Sequence, residues 1–319
     1  MAFEYREFPE FSWSHSRRST FRQCPRQYHW QYYGAHNGWY EDADETARQV
    51  YRLKKITSFP EFLGSVIHDL AADTIRNVRG GGSSYTADEL LQVGRDKLNR
   101  AYAQSKRRKD WSRRPNQLTM FHDFYYGKGP SRDVIDRTRD RLLACVTNLL
   151  EALSYREALE APFVEVKEVD QGPQFFLLDG YTIYAQPDLL YRTGDGMYHV
   201  VDWKTGQVDA ETHALQLRTY ALYVRSREDL EMSAIEGRIE YLFKGTSNSF
   251  PIGDAEIDEE RRGILDSIAM MRKYLVNPEA NEARSRESFP LREDTSDCRY
   301  CRFFELCEVE IAGATTGPF

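Results

Sequence analysis

The sequence predicts a mixed α/β fold, a central mixed β-sheet flanked by helices and preceded by a helical region. Three observations predict it. Apolar residues recur near a 3.6-residue period over residues 59–79 and through much of 86–160. The pattern then turns to β-branched and aromatic runs of partial alternation at 163–169, 175–191 and 197–203. Helical spacing returns at 210–226 and 256–276, on either side of an alternating segment at 237–243 that holds Ile239, Tyr241 and Phe243. Helices, three strands, helix, strand, helix is the order of a layered α/β unit.

Taken in order, the first forty residues are rich in aromatic and basic side chains. The 59–79 helix has Pro60 in its first turn and places Leu63, Ile67, Leu70, Ala71 and Val78 on one face. Gly80-Gly81-Gly82-Ser83-Ser84 breaks the chain, and Thr86 with Glu89 forms a capping-box pattern that starts the next helix. Residues 86–160 read as helical, interrupted near Gly127-Lys128-Gly129-Pro130. Turn residues Gln171-Gly172-Pro173 and Thr193-Gly194-Asp195-Gly196 separate the strands, which are expected to form a three-stranded meander. Four segments follow: 1–58, an N-terminal part; 59–160, helical; 161–285, the α/β core; and 286–319, a cysteine-bearing tail.

The 319 residues carry 43 Lys and Arg against 50 Asp and Glu, a net charge of −7, with 41% hydrophobic and 29% charged residues. That composition excludes a disordered, collagenous or low-complexity chain. No apolar run approaches the ~18 residues of a membrane span, and the first residues show no signal-peptide pattern, so a cytoplasmic protein without a membrane partner is expected. Negative charge argues against a non-specific nucleic-acid coat, although 13% aromatic residues leave base stacking open. Five cysteines are too few for a disulfide scaffold and suit a metal or the core.

The chemistry gathers around the third strand. Asp202 and Lys204 project to one face because strand side chains alternate, and a hairpin brings Asp188 of Pro187-Asp188 beside Asp202. Two carboxylates and an ammonium on one sheet face suit a hard divalent cation, with the lysine near a reacting water or phosphate. Taken alone, so common a tripeptide points rather to strand-end aspartates making turn hydrogen bonds, with Lys204 solvated. The surroundings favour a site: Thr205-Gly206 follows directly, Gly64 and His68 lie four apart upstream on a helix, and Gln216 and Tyr220 lie four apart downstream on another.

Cys298, Cys301 and Cys307 have the Cys-x2-Cys-x5-Cys spacing of a metal-binding turn. Cys145 sits on an apolar helix stripe, where an inert buried thiol is expected. Cys24, beside Pro25, is therefore the fourth thiol chosen. Four thiolates fit Zn²⁺ or a [4Fe–4S] cluster, and spacing does not separate the two.

Gly-x-x-x-His, Pro-Asp, Asp-x-Lys-Thr-Gly and Gln-x-x-x-Tyr, in this order, resemble the RecB-like branch of the PD-(D/E)XK nuclease superfamily, which includes CRISPR-associated and AddB-type iron–sulfur nucleases. The resemblance implies a restriction-endonuclease-like core. It implies Mg²⁺ or Mn²⁺ bound by His68, Asp188, Asp202 and the Trp203 backbone carbonyl, Lys204 orienting and activating the attacking water, and Gln216 and Tyr220 contacting DNA near the scissile phosphate. Every motif residue is present. Glu165 matches a frequent acidic position of the branch, or is a surface residue opposite Lys167. The branch also carries one cysteine in a Cys-Pro-Arg-x-Tyr context and three near the C-terminus, which implies a structural [4Fe–4S] cluster on Cys24, Cys298, Cys301 and Cys307 tying the two chain ends.

The expected function is a divalent-metal-dependent DNA exonuclease acting on single strands or ends, in DNA repair and recombination or in CRISPR or phage defence. A helicase or a CRISPR adaptation complex is the expected kind of partner. Lys106, Arg107, Arg108, Lys109, Trp111, Arg113 and Arg114, with Phe121, Tyr125 and Tyr126 after them, form either a DNA grip or a solvated helical face, and Arg17, Arg18, Arg22 and Arg26 form a second candidate strip. A nuclease-fold DNA-binding or scaffolding subunit of a larger complex, and a zinc-stabilised regulator, are the alternatives.

Overall fold

The computed structural model describes residues 5–160, 164–169, 172, 174–227 and 234–315. In chain order the elements are α1 (His15–Gln23), α2 (Pro25–His29), a π-helical turn (Trp30–Gly34), α3 (Glu45–Lys54), β1 (Ile56–Thr57), α4 (Phe59–Arg79), α5 (Ala87–Ser105), α6 (Arg108–Arg113), β2 (Met120–Phe121), α7 (His122–Tyr125), α8 (Arg132–Glu151) and α9 (Leu153–Glu160). There follow β3 (Glu165–Val169), β4 (Phe175–Leu178), β5 (Tyr181–Tyr184), β6 (Leu189–Arg192), β7 (Tyr198–Lys204), α10 (Ala210–Arg227), β8 (Ile235–Tyr241), β9 (Thr246–Pro251), α11 (Asp254–Arg272), β10 (Leu275–Asn277), β11 (Glu282–Ala283) and α12 (Phe304–Thr315). The chain forms two compact units: Met1–Thr57, Gln104–Gly129 and Leu265–Phe319 make the first, and Ser58–Ala103 and Pro130–Ile264 the second.

The second unit is built on a five-stranded mixed sheet of order β3-β6-β7-β8-β9. Strands β3, β6 and β7 pair antiparallel, β7 pairs parallel with β8, and β9 closes the edge antiparallel. A parallel pair needs a crossover, and α10 supplies it between β7 and β8. Helix α4 packs on α8 and α9 and buries Leu63, Val66, Ile67, Leu70 and Ile75 in a core shared with Leu142, Val146, Leu149, Val201 and Trp203. Each such side chain contributes roughly 1.5–3 kcal/mol by leaving water. The helix starts where the sequence dictates: the Ser58 side chain accepts from Glu61 N–H, Glu61 returns the bond to Ser58 N–H, and Pro60 occupies the first turn.

In the first unit, the short parallel pair β1–β2 and the helices around it enclose Trp30, Val50, Leu53, Trp111, Met120, Tyr125, Phe303 and Cys307. The N-terminal and C-terminal segments lock together within this unit. Arg26 donates to the Phe289 carbonyl at 2.8 Å and to both carboxylate oxygens of Glu310 at 2.8 Å, while its own N–H reaches the Pro290 carbonyl.

The expected meander is corrected. Residues 175–191 hold three strands, because Asp179 and Gly180 form a two-residue turn with φ of 48° and 83° between the Leu178↔Tyr181 pair. Positive φ at both central positions is what a tight hairpin of this kind requires, and Asp-Gly meets it at low cost. Strands β4 and β5 therefore form their own two-stranded sheet, and β3 pairs with β6 instead. The helical reading of 86–160 holds for α5, α6, α7, α8 and α9 but not for Met120–Phe121, which is the strand β2. Phe163 and the turn residues Gln171 and Pro173 lie outside the described residues.

Candidate active site

Strand β7 carries the sequence Tyr198–Lys204 with its side chains alternating across the sheet. Asp202 and Lys204 stand on one face, Val201 and Trp203 on the other. The last registered pair with β6 is Leu189↔Val201, so the next step sets Asp188 opposite Asp202, and Asp188 N–H indeed donates to the Val201 carbonyl at 3.2 Å. The hairpin pairing expected from the sequence is the one observed.

Four elements deliver polar atoms to this strand end. From the start of β6, Asp188 Oδ2 accepts the Trp203 backbone N–H at 2.6 Å. From α4, the His68 imidazole lies between two groups: Nδ1 is 3.0 Å from Asp188 Oδ1 and Nε2 is 2.9 Å from the Trp203 carbonyl oxygen. From β7, Lys204 Nζ stands 2.6 Å from Asp202 Oδ2. From α10, Gln216 Oε1 accepts from Lys204 Nζ at 2.8 Å, and Gln216 Nε2 donates to the Tyr220 hydroxyl. His68, Asp188, Asp202, Trp203, Lys204, Gln216 and Tyr220 are thus brought together. Gly64, one turn before His68, is where α4 approaches the loop after β7: a Cβ there would stand 3.2 Å from Thr205 Oγ1.

The charges in this cluster perturb one another. Burial raises the Asp202 carboxyl above its ordinary range, and Asp188 raises it further while the Lys204 ammonium opposes. Burial would lower His68, but the Asp188 carboxylate beside it overrides this and raises the imidazole to about 9. Tyr220 is held far above the usual phenol range by burial and by the charges of Asp202 and Asp188, which places its hydroxyl within their field. His213 is driven down to about 4 by burial and by Lys204. Its Nδ1 lies 3.2 Å from the Tyr241 hydroxyl, so a neutral imidazole and a phenol complete the lysine side of the site. Neither was singled out from the sequence; the signal was the spacing of His213 three residues before Gln216 on the same helix.

Among the described residues no group of three or more His, Cys, Asp and Glu side chains stands ready-arranged around a metal position. The donor set nevertheless fits a hard divalent cation. Asp202 is 2% exposed, with the Lys204 ammonium 2.6 Å from its Oδ2 as the partner of a buried carboxylate. His68 Nε2 and the Trp203 carbonyl, 2.9 Å apart, would add a ring nitrogen and a neutral oxygen to the two carboxylates, a donor set suited to such an ion.

The sequence matches the model of the PD-(D/E)XK nuclease superfamily over residues 12–308. The chain belongs to that superfamily. No curated protein matches it. PD-(D/E)XK proteins are generally phosphodiester-hydrolysing nucleases that use Mg²⁺ or Mn²⁺, and a nuclease fold implies DNA as partner. Among the described residues no helix is long and apolar enough to cross a membrane.

The matched span takes in all five cysteines, of which Cys24, Cys298, Cys301 and Cys307 lie in the first unit and Cys145 in the second. Cys24 lies between α1 and α2, with Pro25 opening α2 and Cys24 Sγ accepting the Gln27 N–H at 3.4 Å. Cys301 Sγ accepts the Phe303 N–H at 3.4 Å. Burial raises the Cys298, Cys301 and Cys307 thiols, Cys301 to about 11, and the neighbouring Cys24 acts on each in the same direction. Cys145 is buried in the core of the second unit, where burial pushes its thiol to about 12.

Two expectations for a DNA surface need correction. Trp111 is 1% exposed and packs in the core of the first unit, with its ring 5.7 Å from that of Tyr125. It holds α6 down and offers no face to a base, and Phe121 and Tyr125 are buried as well. Lys106, Arg107, Lys109, Arg113 and Arg114 are exposed. Arg108, also exposed, lies 4.0 Å above the Tyr125 ring. Of the strip at Arg17, Arg18, Arg22 and Arg26, Arg22 is exposed and the other three are structural. All three are buried; Arg17 donates to Ser12 and lies 4.1 Å over the Tyr32 ring. Glu165 is exposed and pairs with Lys167 at 2.9 Å, the surface arrangement.

Proposed function

We propose that this protein is a divalent-metal-dependent DNA exonuclease of the RecB-like branch, acting on single strands or free ends. The observation that carries the reading is the His68 imidazole set between Asp188 Oδ1, 3.0 Å from Nδ1, and the Trp203 carbonyl, 2.9 Å from Nε2, beside a buried Asp202 carboxylate paired with Lys204. His68, Asp188, Asp202 and the Trp203 carbonyl would hold Mg²⁺ or Mn²⁺. When bound, the ion supplies positive charge against the phosphodiester oxygens. Lys204, paired with Asp202 and held by Gln216, presents an ammonium to the attacking water and to charge developing on the phosphorus oxygens. Gln216 keeps that ammonium on the catalytic face, and Tyr220 supports Gln216 from the same helix. Asp188 fixes the Trp203 peptide by accepting its N–H, and would also help to hold the ion.

The reading extends to a structural [4Fe–4S] cluster on Cys24, Cys298, Cys301 and Cys307. What supports it is the placement of all four cysteines in the first unit, with backbone N–H donors on the Cys24 and Cys301 sulfurs. Work on DNA ends in repair, recombination or phage defence, beside a helicase or a CRISPR adaptation complex, completes the proposal.

Digestion of end-labelled single- and double-stranded DNA with Mn²⁺ or Mg²⁺ tests the nuclease. Wild type is expected to cut and Lys204→Ala to lose at least ~100-fold in rate. Equal inertness on every substrate would instead favour a scaffolding subunit. An anaerobic preparation that is brown, with absorbance near ~400 nm, is expected for the cluster; a colourless one with stoichiometric zinc refutes it.

A further inference from the structure

Trp203 is fixed at three points, two of which belong to the candidate site. Its backbone N–H goes to Asp188 and its carbonyl faces His68. The third point lies on the other face of the sheet. There the indole Nε1–H donates to Glu240 Oε2 at 2.9 Å and stands 3.2 Å from Ser154 Oγ. Glu240 is the residue paired with Trp203 in the parallel β7–β8 register. It is 2% exposed, and no Lys, Arg or His pairs with it among the described residues. Its charge is met by donors alone: the indole N–H, the Ser154 backbone N–H at 3.0 Å and the Ser154 hydroxyl.

A buried carboxylate without a cation is costly, and an apolar residue of similar size would suit a core position better. What the charge gives in return is a strong, directional acceptor for one particular indole. The direction matters because the Trp203 side chain and the Trp203 carbonyl belong to one residue. An indole free to change rotamer lets the adjoining peptide plane rotate, and the carbonyl then turns from the direction of His68.

We propose that Glu240, with Ser154, is a positioning residue for the metal site, holding the Trp203 carbonyl in ligating orientation through the indole. This rests on the metal-site reading above. Glu240 touches neither substrate nor ion; it acts from behind the sheet, as the outer partners of metal ligands do.

The test is Mn²⁺ binding, measured by calorimetry and by the Mn²⁺ EPR signal without DNA, on wild type, Glu240→Gln, Ser154→Ala, Trp203→Phe and the Glu240→Gln/Trp203→Phe double variant. Replacing Glu240 with Gln turns an amide donor toward groups that are themselves donors. The expected result is a Kd for Mn²⁺ raised about 10-fold or more in Glu240→Gln and Trp203→Phe, with a smaller rise in Ser154→Ala. The double variant is expected to be no worse than the weaker single, because both remove the same bond. Saturating Mn²⁺ should restore most of the digestion rate. An unchanged Kd in folded Glu240→Gln and Ser154→Ala overturns the proposal, as does full additivity in the double variant. Should Glu240→Gln fail to fold, Ser154→Ala and Trp203→Phe carry the same test. Failure of the underlying reading is read separately, as wild type that binds no Mn²⁺.

Discussion

Asp188 Oδ2 accepts the backbone N–H of Trp203 at 2.6 Å, so one carboxylate fixes a peptide plane while its other oxygen faces His68. Asp188 thus has a structural bond and a chemical one. Asparagine keeps an oxygen for the N–H and loses the charge. Asp188→Asn is therefore expected to melt within a few degrees of wild type and to lose at least ~100-fold in DNA cleavage, measured by calorimetry and by end-label release. Loss of fold with the activity would mean that the carboxylate is structural alone.

Lys204 is held by Asp202 and by Gln216, and the second bond separates position from charge. Gln216→Ala leaves the ammonium beside Asp202 but frees its other side. The expected outcome is a rate loss clearly smaller than that of Lys204→Ala, seen in kcat rather than in DNA affinity. A loss equal to that of Lys204→Ala would give Gln216 a direct part in the chemistry.

Leu70 is buried on α4, two residues after His68, in the core shared with Val146 and Trp203. Leu70→Ala is expected to cost about 2–5 kcal/mol by denaturant unfolding. Gly64→Val places branched bulk where a single Cβ already stands 3.2 Å from Thr205 Oγ1. It should reduce cleavage more than it reduces the melting temperature, because α4 must move away from the loop after β7.

Trp111→Ala separates core from contact. A residue 1% exposed should cost about 3–5 kcal/mol of stability when truncated. Arg113→Ala with Arg114→Ala, both exposed, should leave the melting temperature unchanged. If those two arginines meet phosphates, the slope of DNA affinity against salt concentration falls by about one per contact.

His29 is held down to about 4, first by burial and next by the Arg26 guanidinium. A histidine whose folded value lies below its ordinary 6.5 resists protonation when folded. Its contribution is fully present above pH 6.5 and is lost as pH falls from 6.5 through about 4. The melting temperature should decline across that window, and His29→Phe should flatten the decline. An unchanged acid profile in that variant would remove His29 as its source.

Much of this could be read beforehand, for physical reasons that differ between elements. The α4 helix was legible because its apolar period and Pro60 are local signals. The candidate cluster was legible because strand alternation and i, i+4 spacing convert sequence positions into shared faces, as with Asp202 and Lys204 or Gln216 and Tyr220. The β4–β5 hairpin was missed although Asp179-Gly180 marks it, since the flanking runs read as one continuous strand. Strand β9, made of Thr246, Ser247, Asn248, Ser249, Phe250 and Pro251, lacks apolar alternation; it is an exposed edge held by its backbone pairing to β8. Trp111 was misread because a basic stretch does not say which of its side chains turns inward. The Glu240–Trp203–Ser154 bonds join three distant segments, and only the fold reveals that they meet.

The central claim is that His68, Asp188, Asp202 and the Trp203 carbonyl share one ion. Pulsed EPR of the Mn²⁺-loaded protein tests this most directly, since the ¹⁴N modulation reports an imidazole bound to the metal. The expected spectrum shows one directly bound nitrogen in wild type and none in His68→Ala. Mn²⁺ bound without any nitrogen in wild type, or with a nitrogen that survives His68→Ala, would contradict it.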